Sequence, residues 1–177
     1  MRRLLPIKPS TKPGRTGLLV DFDLREQVSE FIFREARLQD THAYDDWEAL
    51  WTDDALYWIP ANGDDPDPET EMSIIYDNRS RIALRIKQLH TGKRHTQTPR
   101  SRLGRIVSNI EVAARDGDDI DVRANAMVFE SNLRGDTVWA TRNEYRLREA
   151  DGGLRMVRKK VILVNNHRPI YTLSFLI

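Results

Sequence analysis

Glu35 and His42 are the two side chains whose types and spacing could do acid–base chemistry. Seven residues of helix are two turns, about 10 Å along the axis. A carboxylate and an imidazole so placed share one face, and over the opening of a curved sheet they could act as acid and base in a pocket. A bland reading competes with this one and is favoured. Glu35 falls within an apolar stripe, one turn from Phe31 and close to Leu38, and a carboxylate there needs a partner. The expectation is a structural buried ion pair between Glu35 and an arginine from the sheet or from a later helix.

Other chemistry is sparse. Only four histidines occur, His42, His90, His95 and His167. His90 and His95 have a spacing found in some mononuclear iron sites. A facial triad also needs a carboxylate, and three residues before His90 stands Lys87. Thr91-Gly92 interrupts the helix between the two, and Lys93 and Arg94 would repel a cation. With no cysteine at all, disulfides, thiolate-bound iron–sulfur clusters and thiolate zinc sites are excluded. No nucleophile-elbow, phosphate-loop or dinucleotide motif is present. No residue of this chain is therefore assigned as catalytic, cofactor-binding or metal-ligating.

The elements that must position Glu35 and His42 begin with a helix opened by Asp23, with Glu26 three residues on, and running to about Thr41. Leu24, Val28, Phe31, Leu38 and His42 form its apolar stripe. A short helix, DDWEALW, and a strand, DALYWIP, follow; Trp47, Trp51, Tyr57 and Trp58 read as core rather than as a ligand box. The acidic, proline-containing loop 61–71 is exposed, and its aspartate spacing does not match a calcium loop. MSIIYD suits another strand, and Asn78 then caps a helix that buries Ile82, Ile86 and Leu89 and ends at Gly92.

Residues 101–164 form the frame. Four long alternating runs are separated by Asp116-Gly117-Asp118, Arg134-Gly135-Asp136 and Asp151-Gly152-Gly153, which suit the positive φ of tight turns. Ile106, Ile110 and Val112 are expected on one face of the first run, and Ile120, Val122 and Val128 on one face of the second. In the third, Trp139, Tyr145 and Leu147 oppose Arg142, Glu144, Arg146 and Arg148. Helices followed by an antiparallel meander imply an α+β domain, with helices on one face of a curved sheet. Val107, Ala113, Met127 and Phe129 make the other face apolar too. The last residues alternate Tyr171, Leu173, Phe175 and Ile177, and such an end needs a surface to dock on. These four are the expected subunit interface, with a second sheet surface covered by another chain.

The chain has 177 residues, 28 basic and 27 acidic side chains, and a net charge of +1. That balance provides no field for nucleic acid or an anionic membrane, and no run suits a membrane span. Residues 1–20 hold basic residues and prolines without an acid, which reads as a flexible basic arm ahead of a single domain at 21–177. A cytoplasmic location is expected.

FREARLQD at 33–40 and WEALW-x-DDA-x-YWIP from Trp47 resemble the β (small) subunits of aromatic-ring-hydroxylating dioxygenases. So do MSIIYDNRSRIALRIKQLHTG at 72–92, PRSR at 99–102, SNIEV at 108–112 and RKKVILVNN at 158–166. The ordered set spans about residues 25–177, and MSIIYDNRS and RKKVILVNN look closest to the benzoate, toluate and anthranilate branch. Gly104-Arg105 departs from that pattern, replacing a histidine-containing segment. The resemblance implies a cone-shaped fold like that of nuclear transport factor and ketosteroid isomerase relatives. It implies a mainly structural subunit joined to a catalytic α subunit and to other β copies, three of each. The Rieske [2Fe-2S] cluster and mononuclear Fe(II) would lie in the α subunit, with NADH supplying electrons through a reductase and the ring being cis-dihydroxylated. The rival is a free-standing isomerase, dehydratase or ligand binder that uses Glu35 and His42.

Overall fold

The computed structural model describes residues 22–93, 99–150, 152–170 and 172–177. The proposed arm at 1–20 and His95 lie outside them. Helix α1 (Phe22–Asp40) is followed by α2 (Tyr44–Glu48), β1 (Trp51–Pro60), β2 (Ser73–Asn78) and α3 (Arg79–His90). Strands β3 (Arg102–Asp116), β4 (Asp119–Asn132), β5 (Gly135–Ala150) and β6 (Gly153–Leu163) then make the meander. The sheet order is β2-β1-β6-β5-β4-β3, antiparallel except where β1 runs parallel to β6. The three reversals turn at Gly117, Gly135 and Gly152, all with positive φ. No helix among the described residues is long and apolar enough to cross a membrane.

Asn78 caps α3 by accepting from the Arg81 amide, and Ile82, Ile86 and Leu89 are buried as their spacing requires. On β4 the inward residues are Ile120, Val122, Ala124, Ala126 and Val128; on β5 they are Trp139, Tyr145 and Leu147. Helix α1 covers this face through Leu24, Val28, Phe31 and Ile32. The aromatic cluster is core: the Trp47 ring lies 5.3 Å from Trp51 and 5.6 Å from Tyr57, edge-on in both cases.

Two expectations need correction. Ile106 does not share a face with Ile110 and Val112. The β3–β4 register shifts between Ser108 and Glu111, where Asn109 has φ 53°, and the extra residue reverses the alternation. Leu103, Val107, Ile110 and Val112 pack on the core, while Ile106 is 70% exposed. The second correction concerns the last residues. Among the described residues they form no strand, and Phe175, Leu176 and Ile177 are all buried in the chain's own core, with Leu173 packed against it. Phe175 and Ile177, expected at a subunit interface, thus pack within the chain itself. Tyr171 lies outside the described residues.

Candidate functional site

Helix α1 and strand β6 bring together the most deeply buried charges. Glu35 lies one turn beyond Phe31 on the buried stripe, and Lys159 has the strand parity of Val161 and Leu163, which also face the core. Lys159 Nζ donates to Glu35 Oε1 at 2.8 Å, and the Trp47 indole N–H donates to the same oxygen at 2.8 Å. Nζ also lies 3.4 Å from Gln39 Oε1 and 5.6 Å from the centre of the Tyr145 ring. Burial pushes the Lys159 ammonium below its ordinary value, and the Glu35 charge opposes that shift. Tyr57 and Tyr145 are pushed above their ordinary values, chiefly by burial, so both stay neutral hydroxyls. The cation that meets Glu35 is a lysine of the sheet, not an arginine.

His42 belongs to a different set. It lies past the end of α1 with φ 57°. Its Nε2 is 2.9 Å from the Ser101 carbonyl oxygen and its Nδ1 is 3.1 Å from the Tyr44 hydroxyl. The carbonyl can only accept, so Nε2 carries the hydrogen and the Tyr44 O–H donates to Nδ1. Glu35 and His42 thus share no partner, and Glu35 is only 1% exposed. A substrate-facing acid/base pair does not follow from this geometry. His90 Nε2 is 2.8 Å from Asp45 Oδ1, and no group of three or more potential metal ligands occurs among the described residues.

Arg105, within the Gly104-Arg105 departure, ties three elements together. Its guanidinium bonds Asp40 at the end of α1 and the main-chain oxygen of Leu176, and lies 5.7 Å from the centre of the Phe175 ring. Its main-chain N–H also donates to Asp40 Oδ2 at 2.9 Å. Tyr57 completes the fastening, with its hydroxyl donating to the Ile177 oxygen at 2.6 Å. Sequence reasoning assigned neither Lys159 nor Arg105. Nothing local marks a long cation as the partner of a helix residue 124 positions away.

The outer face of the sheet divides into two halves. One is a ladder of ion pairs, Arg146 with Asp121 and Arg148 with Asp119 and Asp54. Beside it the 61–71 loop folds over β6 and β5, where Asp65 pairs with Lys160 of β6 and Asp64 with Arg142 of β5. The other half is apolar. Ile106 stands opposite Met127, and Phe129 stands opposite Gly104 on one side and Val138 on the other. Ile106, Met127, Phe129 and Val138 are 49–70% exposed.

Helices on one face of a curved, largely antiparallel sheet are shared with solved structures. An NTF2-like protein with a cystatin-like fold from Novosphingobium aromaticivorans is 20% identical and covers 81% of this chain and 84% of its own, with a TM-score of 0.56. The β subunit of the benzoate 1,2-dioxygenase from Burkholderia mallei is 26% identical, with a TM-score of 0.68 over 79% of this chain and 90% of its own. Among curated proteins, the small oxygenase component of the p-cumate 2,3-dioxygenase system of Pseudomonas putida is 32% identical over 144 residues, 80% of each chain. The model of the ring hydroxylating beta subunit matches residues 34–168. The chain belongs to that family. Its relatives include the small subunits of benzoate, toluate and anthranilate dioxygenases, the branch its motifs resemble.

Proposed function

We propose that the chain is the structural β subunit of a multicomponent Rieske non-haem iron dioxygenase, supporting cis-dihydroxylation of an aromatic ring by an α subunit. The observation that carries this reading is the contrast between the two faces of its sheet. Inside, Glu35, the carboxylate of the candidate acid/base pair, is consumed by Lys159 and Trp47. Outside, apolar side chains in register stand exposed, as on a surface that is covered in an assembly. This chain has no cysteine, so it cannot supply the two thiolates of a Rieske centre. The cluster and the mononuclear iron are assigned to the partner, as the family resemblance implies, and no redox step is routed through this chain.

Three α and three β subunits are the proposed assembly, with NADH as the electron source through a reductase and the cytoplasm as its location. Carboxylated aromatic rings are the first substrates to screen, since relatives are named for p-cumate and benzoate. Co-expression with the neighbouring reading frames tests the reading. A large complex with Rieske absorption is the expected result. A small colourless oligomer, with the α candidate present but unbound, would overturn it.

A further inference from the structure

A second buried carboxylate, Glu130, lies at the β4–β5 hairpin end of the sheet and plays no part in the Glu35 cluster. It is 2% exposed, and no ion pair reaches it among the described residues. Four neutral donors hold it. Ser101 Oγ, Asn132 Nδ2 and Ser174 Oγ donate to Oε1 at 2.6, 2.9 and 3.0 Å, and the Trp139 indole N–H donates to Oε2 at 3.0 Å. Burial pushes this carboxyl up, but the four hydrogen bonds together outweigh it and keep the group below its ordinary value. The result is a buried negative charge held directly by dipoles, with the Arg134 guanidinium one bond further out, 3.4 Å from Ser174 Oγ. Three of the donors crowd Oε1, whereas Oε2 accepts only from Trp139 among the described residues and has a second lone pair for a further donor.

Glu130 also lines a cavity of about 480 Å³, together with Asn132, Arg134, Thr137, Trp139 and Thr172. At the hairpin tip beside it, Leu133 is 85% exposed. Asp136 lines the recess as well, so two carboxylates face one guanidinium, that of Arg134. A net-anionic recess walled by an indole, beside an apolar knob, has the chemistry that accepts an arginine anchor. The guanidinium meets the carboxylate and can stack on the aromatic wall, while the knob packs against the partner's surface.

We propose that the Glu130–Trp139 cavity is a socket for an arginine side chain of the partner α subunit. This rests on the β-subunit reading above. Two variants separate the charge from the fold. Glu130→Gln removes the charge in nearly the same volume. Thr137→Arg leaves every hydrogen bond to Glu130 in place and fills the recess from within.

Each form is co-expressed with the α subunit, and dissociation of the purified complex is followed against dilution and salt. At least tenfold weaker assembly is expected for both variants, with a shallower salt dependence for Glu130→Gln. Should Glu130→Gln melt much lower than the parent chain, Thr137→Arg alone decides. Assembly of Thr137→Arg at parental affinity would overturn the socket and leave the subunit reading standing. Failure of the parent chain itself to bind the α subunit would overturn both.

Discussion

Lys159 Nζ lies 2.8 Å from Glu35 Oε1, and each side chain is 2% exposed. Taking both charges out of water costs several kcal/mol per ion, and their attraction offsets this only while both are present. Losing one partner strands the other. Glu35→Ala or Lys159→Met is therefore expected to destabilise the chain by about 3–5 kcal/mol in urea unfolding. The double variant Glu35→Leu/Lys159→Met should recover most of that loss and still support ring hydroxylation once assembled. A double variant that folds and assembles but has lost turnover would restore a catalytic role for the pair.

Arg105 presents a different balance. Its side chain is 3% exposed, and it serves α1 and the 174–177 segment at once. Arg105→Leu keeps the apolar stem and the main-chain bond to Asp40 Oδ2, but leaves Asp40 Oδ1 and the Leu176 oxygen without the guanidinium, each loss costing roughly 1–3 kcal/mol. Hydrogen exchange at the Ile177 amide, which donates to the Tyr57 hydroxyl at 3.2 Å, should accelerate more than exchange in β4. Uniform acceleration across the sheet would show that Arg105 supports the whole core rather than this fastening.

The meander was legible because its signals are local: period-two alternation and three Gly-containing turns. Helix α3 was legible for the same reason, with Asn78 at its start and Gly92 just past its end. What failed was non-local. A single left-handed residue, Asn109, reverses the faces of β3, and asparagine within an alternating run carries no mark of a bulge. The alternation of Tyr171, Leu173, Phe175 and Ile177 calls for a surface to dock on and reads as a subunit interface. Three consecutive buried residues, 175–177, instead fill the core, because Arg105 and Tyr57 bond the main chain that a neighbouring strand would otherwise have satisfied. The need of Glu35 for a partner was readable from its stripe, but the identity of that partner depends on how β6 sits against α1.

Glu130 gives a pH signature whose sign is fixed. Its folded value lies below the ordinary 4.5, so folding favours the ionised form. That contribution is fully present above 4.5 and disappears as pH falls through the lower folded value. Several other carboxylates, Asp54 and Asp121 among them, are shifted the same way, so the parent chain alone is uninformative. The difference in Tm between the parent and Glu130→Gln isolates the site. It should be largest at neutral pH and shrink in acid. A difference that does not change with pH would mean that shape, not charge, separates the two side chains.

The apolar half of the outer face makes the sharpest separation between folding and assembly. Met127 is 53% exposed and sits between Ile106 on one neighbouring strand and Ala140 on the other. A charge at this position meets water in the free chain, so Met127→Glu should change its stability by no more than about 0.5 kcal/mol. In a complex that covers the row, the same carboxylate would be buried without a partner, and assembly should weaken by at least tenfold. Arg123 is exposed on the same strand and the same face, but lies beyond the apolar rows, in the charged half. Arg123→Ala should assemble as the parent does. Equal assembly of both variants would show that this face stays open to solvent. Loss in both would extend the covered surface into the ion-pair ladder, and loss in Met127→Glu alone would place the interface on the side of the bulge where Ile106 was turned outward.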